Sequence, residues 1–280
     1  MILAGVARVP SPARARAWGN MRDLAILVTT TAIAIGAGTA CLADVKEVAY
    51  PAIKVRLSDA YHPDAAFQKM QKSFADTVAK KDAQALFSLV GPTFVWTSGG
   101  ELDDQFDFSG DALQNFKVVF GFREFGKRVD GGVMDGPFWD TLAAFAATAT
   151  FDNSAQTLVC GPIGADIADS NAFENAKRTI GAGDSVDWYF TVADTSATAT
   201  PTGGGSIGRV NQIAVPVLDV YPPVTAGQPG PPTTHLKVLL PSGKSGWIPI
   251  SAAVPLNADR LCYAHLPSGE WKIALFDQAE

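Results

Sequence analysis

The chain has 280 residues, 47% of them hydrophobic and 18% charged, a balance that excludes a disordered chain and a multi-span membrane protein. Residues 1–43 hold four Arg and one Asp, so the overall net charge of −6 becomes −9 over the rest of the chain, from 18 basic and 27 acidic groups. A surface of that sign repels polyphosphate and argues against nucleic acid as a partner.

The N-terminus reads as an export signal. Met21-Arg22-Asp23 precedes an apolar run from Leu24 to Ile35, followed by the small residues Gly36, Gly38, Ala40 and Ala43. Residues 1–20 form an upstream extension. Cleavage after Ala43 leaves Asp44 as the mature N-terminus, with cleavage after Ala40 as the alternative. An uncleaved segment 24–43 is long enough to act as a membrane anchor, the one route by which the chain would meet a membrane. Cys41 follows small residues as a lipidated Cys does, although Gly38 stands where bacterial lipoprotein signals usually place Leu.

Residues 44–60 are a lead-in without a clear period. Phe67, Met70, Phe74 and Val78 then fall at spacings of three, four and four, which predicts a helix. Asp82 caps a second helix with Leu86, Leu89 and Val90 inward, stopped by Gly91-Pro92. Thr93–Thr97 is strand-like. Ser109 precedes a third helix carrying Leu113, Phe116 and Phe120. Asp135-Gly136-Pro137 opens a fourth, from Phe138 to about Ala147.

After residue 182 the pattern changes. Gly203–Gly205 reads as a loop, and Ile213, Val215 and Val217 alternate as a strand that Pro216 confines to an edge or a bulge. Pro222–Thr234 holds five prolines and two glycines and predicts an exposed irregular loop. Two hairpins follow between His235 and Asp277. The tetrapeptide Leu-Pro-Ser-Gly marks the turn of each, at Leu240–Gly243 and Leu266–Gly269, with Trp247 and Trp271 soon after.

The segment 187–255 resembles a bacterial Src-homology-3-like (SH3-like) domain. The resemblance rests on Ala197–Gly208, ending in Ile-Gly, and on Leu236–Pro249 with its Ser-Gly-Trp-Ile. The usual Asn-Val-Arg is missing, and the Pro-rich insert and the hairpin after Arg260 depart from the pattern. Such domains are targeting or interaction modules of the cell envelope. The N-terminal half resembles nuclear-transport-factor-like domains through its Phe67–Val78 helix, Asp82, Leu86, Leu89 and Phe94-Val95-Trp96; that family holds both enzymes and binders. The fold class expected is therefore α+β. A helix-rich α+β domain over 61–182 precedes an all-β SH3-like barrel over 183–280 with an extra terminal hairpin.

Catalytic signatures are missing. His62, His235 and His265 lie in no metal spacing, and no nucleophile elbow, phosphate loop or dinucleotide fingerprint occurs. No catalytic residue and no cofactor is therefore assigned. In the acidic run Glu101–Asp111, Asp107, Ser109 and Asp111 sit two apart as early calcium ligands do. Ala112 and Val118 occupy the places that need Gly and Glu, so the run reads as a solvated loop and helix cap, with Asp107 and Asp111 as residual cation candidates. Cys160 and Cys262 survive signal removal. An even count in an oxidising compartment predicts a disulfide between them, against two separate buried thiols.

Among the aromatics, Trp271, Ile273 and Leu275 share a parity and read as core. Trp247 begins a strand of small and apolar residues and suits the core as well. Tyr221 borders the Pro-rich loop as an exposed ring. Tyr221, Trp247 and Tyr263 are the candidate binding residues. The function expected is an exported, non-enzymatic binder of cell-wall peptide or an envelope protein. The alternative is a small-molecule-binding or hydrolytic N-terminal domain with the barrel as accessory.

Overall fold

Side chains at helix starts and tight turns set the chain's local course. The computed structural model describes residues 45–98, 101–102, 111–122, 138–155, 158–183, 186–223 and 232–279. The lead-in carries strand β1 (Ile53–Leu57). Helix α1 (Ala65–Ala79) begins where the Asp64 carboxylate accepts from the Phe67 N–H at 2.7 Å. Helix α2 (Ala83–Ser88) begins where Asp82 accepts from Ala85 N–H at 3.0 Å. Each cap satisfies a donor that the first helical turn leaves unpaired. Strands β2 (Val90–Ser98) and β3 (Glu101–Leu102), and helices α3 (Ala112–Val119) and α4 (Trp139–Ala146), follow. Then come β4 (Asp152–Ala155), β5 (Leu158–Gly161) and β6 (Ala165–Ile167). Helix α5 (Ser170–Ile180) is capped by Asp169 and ends at Gly181, whose φ of 71° is the left-handed stop that glycine permits.

The rest of the described chain is extended: β7 (Trp188–Thr191), β8 (Thr195–Thr200), β9 (Gly203–Val210), β10 (Ile213–Tyr221), β11 (His235–Leu239) and β12 (Ser245–Pro249). A 3-10 turn (Ile250–Ala252), β13 (Ala253–Pro255), β14 (Arg260–His265) and β15 (Trp271–Gln278) complete it.

Two sheets result. One runs β13-β7-β10-β11-β12-β8-β9, with β1 and β6 joined beside β10. The other runs β3-β2-β15-β14-β5-β4, and in it β15 lies parallel to β2. Helix α1 packs on α2 and α4, and α3 on β2, over this six-stranded sheet. Their apolar stripes meet it in a core built around Phe67, Phe74, Phe94, Phe116, Phe120 and Tyr263. Residues from both sides of position 182 enter both sheets, and all described residues belong to the compact unit Cys41–Glu280.

The expected fold class is corrected by this arrangement. The described chain is mostly β, with fifteen strands against five helices of 6 to 15 residues, so the N-terminal half is not a helix-rich domain. Helices this short cannot bury large rings against one another alone, and a sheet supplies the opposing face. Nor is the terminal hairpin an addition to the barrel. It supplies the two middle strands of the six-stranded sheet, between β2 and β5.

Smaller expectations also shift. Asp111, not Ser109, caps α3, and Gly203–Gly205 opens strand β9. Pro216 lies inside the nine-stranded sheet. Strand β10 pairs with β7 up to Pro216 and with β11 from Val217, so the missing N–H falls where the strand changes neighbours. A register shift between Ile273 and Leu275 turns Phe276 inward and leaves Leu275 half-buried, overturning the single parity expected there.

Candidate functional site

Strand alternation builds the site. In β11, Leu236 and Val238 are buried while His235 and Lys237 are half-exposed; in β12, Gly246 and Ile248 are buried while Trp247 is half-exposed. A period of two therefore sends His235, Lys237 and Trp247 to the outer face. Antiparallel register places Tyr221 opposite His235, and Trp247 opposite both Lys237 and Thr198. Tyr221 and Trp247 meet across β11 edge-to-face, with ring centroids 6.1 Å apart and planes at 80°. Such pairs hold each ring in place while leaving edges and faces for a ligand.

The surroundings fix this pair further. The Thr234 N–H donates to the Tyr221 carbonyl at 2.7 Å, tying the residue before β11 to the end of β10. The Thr234 hydroxyl lies 3.0 Å from His235 Nδ1. On the far side, the Thr198 hydroxyl donates to the Thr200 carbonyl at 2.8 Å and lies 3.3 Å from the Trp247 carbonyl oxygen. The outcome is a face with two rings, an imidazole and an ammonium, backed by the apolar interior of Val215, Leu236, Val238 and Ile248.

Two of the three candidate rings are thus brought together, and Trp247 sits on the outer face, not in the core. The third is corrected. Tyr263 is 1% exposed and wedged against Phe67 at 5.3 Å and Phe151 at 6.3 Å, so it is structural and no ligand reaches it. Burial pushes its phenol far above the ordinary tyrosine value.

Cys160 and Cys262 form a disulfide, with Cα atoms 4.0 Å apart and a separation of 102 positions in sequence. They are register partners on β5 and β14, so the bond staples adjacent strands of one sheet. A disulfide of this kind persists in oxidising compartments. It removes Cys160 as a nucleophile. Among the described residues no helix is long and apolar enough to cross a membrane; segment 24–43 lies outside them.

Asp111 caps α3, accepting from Leu113 N–H at 3.0 Å, while Asp107 lies outside the described residues. Among the described residues no group of three or more His, Cys, Asp or Glu converges as a metal centre would require. His62, His235 and His265 belong to no such group, and His265 lies tilted at 47° against Trp271, with ring centroids 4.9 Å apart.

Sequence reasoning missed one buried ion pair. Asp152, wholly buried, holds Arg260 Nη2 at 2.6 Å and accepts from the Gly164 N–H at 2.6 Å, while Arg260 Nε donates to the Pro162 carbonyl at 3.2 Å. Asp152 is the register partner of Cys160, so the pair and the disulfide stitch the same place. No local signal marks it, because its partners are 108 residues apart. Comparison with known protein families, curated proteins and solved structures finds no match to this chain.

Proposed function

We propose that the chain is an exported, non-enzymatic binding protein of the cell envelope, working in the periplasm or outside the cell. The Tyr221–Trp247 face contacts cell-wall peptide or an envelope protein. The observation that carries this reading is the meeting of two candidate rings on the outer face of β10–β12, beside the Pro-rich segment. Amphipathic rings held by neighbours are the usual anchors of such contacts.

Two further features support it. The order β7, β8–β9, β10-β11-β12, 3-10 turn, β13, with β13 closing on β7, fits the proposed SH3-like module over 187–255. Among the described residues, the helix-and-sheet body is packed with rings: Phe116 lies 5.3 Å from Phe94 and 4.8 Å from Phe120, and Phe276 lies 5.4 Å from Phe120. An interior filled this way favours a binder over an enzyme. The order β3-β2-β15-β14-β5-β4, with helices on it, fits the proposed likeness to nuclear-transport-factor-like domains, whose members include binders.

The test is retention of the mature protein on purified peptidoglycan and on envelope extract, beside Tyr221→Ala and Trp247→Ala. Loss of retention by about tenfold in either variant, with the thermal melt lowered by no more than about 4 °C, is the expected result, in keeping with what truncating an anchor ring costs. Retention of both variants at the parent level would refute the assignment.

A further inference from the structure

Between α5, β6 and the start of β7 lies a cavity of about 650 Å³, a volume typical of small-ligand pockets. Phe173, Trp188 and Tyr189 supply aromatic wall; Asp166, Asp187 and Asn257 supply polar groups. Phe173 and Trp188 stand edge-to-face with centroids 4.8 Å apart. Trp188 is 8% exposed, and its buried indole Nε1 finds no acceptor. A buried donor without a partner is destabilising until an acceptor reaches it.

Charge narrows the ligand. Lys177 Nζ, the one ammonium among the described lining residues, is already engaged, 3.3 Å from Glu174 Oε1 and 5.6 Å above the Phe173 ring. Asp166 and Asp187 enter no ion pair among the described residues; Arg56 stands opposite Asp166 in register without bridging it. The Asp187 carboxylate is near enough to Tyr189 to add to the rise that burial gives its phenol. Unpaired carboxylates beside aromatic faces attract an organic cation, by Coulomb force and by the ring quadrupole.

We infer that this cavity binds a short peptide carrying a free alkylammonium side chain. Asp187 and the rings hold the ammonium, and a peptide carbonyl accepts the Trp188 indole N–H. Neither Tyr221 nor Trp247 lines the cavity, so the inference stands independently of the outer face.

Calorimetric titration of the mature protein with the tripeptide Ala-Lys-Ala tests it, against the same peptide acetylated at Nε and against free lysine. The tripeptide is expected to bind. Acetylation, which removes the charge, is expected to weaken binding by about tenfold or more, and Asp187→Asn to weaken it similarly without changing the thermal melt. Trp188→Phe keeps a ring and removes the donor, and should weaken binding by about three- to tenfold. Trp247→Ala should leave tripeptide binding untouched, which separates this site from the outer face. Silence with the tripeptide, equal binding of the acetylated peptide or of free lysine, or an unaffected Asp187→Asn would each overturn the proposal.

Discussion

The two Leu-Pro-Ser-Gly hairpins are built alike and used differently. In the first, Gly243 N–H donates to Leu240 O at 2.9 Å and Leu240 N–H to Lys244 O at 2.9 Å; in the second, Gly269 donates to Leu266 O at 2.9 Å and Leu266 to Glu270 O at 2.8 Å. Both glycines have positive φ, 80° and 86°. Yet a Cβ at Gly243 would stand 2.6 Å from the Ala49 nitrogen, whereas one at Gly269 would meet nothing within 4 Å. The lead-in segment before β1 crosses the first turn, where Tyr50 N–H donates to Pro241 O at 3.0 Å and its hydroxyl to Leu239 O at 2.7 Å. The second turn is free at its tip, but its strands run through the middle of the aromatic core. Identical local sequence therefore yields one turn clamped at its apex and one anchored at its base.

Substitutions along the strands should widen this contrast most. Tyr263→Ala in the second hairpin removes a wholly buried ring and is expected to lower stability by about 3–5 kcal/mol. Trp247→Ala in the first, half-exposed, should lower it by about 1 kcal/mol or less, near the surface range. Chemical denaturation of both variants checks the pair, and equal losses would erase the distinction.

Of the two hairpins only the second carries the disulfide, which ties its strand β14 to β5. Replacing Cys160 and Cys262 together by Ala should lower stability by about 2–4 kcal/mol, given the length of chain it closes. The loss should be reproduced in the parent protein by reductant, and reductant should leave the double variant's melt unchanged. A parent protein indifferent to reductant would show that the staple contributes nothing.

At the turns the order reverses. Gly243→Ala combines left-handed strain with a backbone clash and should lower stability by about 2–4 kcal/mol. Gly269→Ala meets only the strain, about 1–2 kcal/mol. If the two variants melt together, the lead-in does not clamp the first turn.

Much of the local architecture was legible. The Asp82 cap and the stripe Phe67, Met70, Phe74 and Val78 follow short-range rules that hold within one or two helical turns, whereas the Asp64 cap and the whole of α5 with its Asp169 cap were not read from the sequence. The hairpin turns announced themselves through Pro-Ser-Gly. What stayed hidden was strand pairing over long separations. Strand β4, reading Asp-Asn-Ser-Ala, has no β-forming residue, and its place comes from Asp152 pairing with Arg260 and from its neighbour Cys160. The site divided in the same way. Tyr221 was identifiable as a ring bordering a Pro-rich stretch, but Trp247 read as core, and Tyr263 carries the same chemistry as Tyr221 in a strand of similar composition. Only the register of β14 against β5 and β15 turns it inward.

Sequence by itself determined the acidic balance, the stripe of the first helix, the Asp82 cap and the two turns, because each depends on composition or on residues a few positions apart, and it nominated Cys160 and Cys262 as partners. Tertiary structure decided that the last hairpin completes the six-stranded sheet and that Trp247 faces outward while Tyr263 is buried. It also formed the cavity beside α5. Those outcomes turn on which distant strands share hydrogen bonds, and a side-chain period of two sends a ring to water or to the core according to a one-residue choice of register.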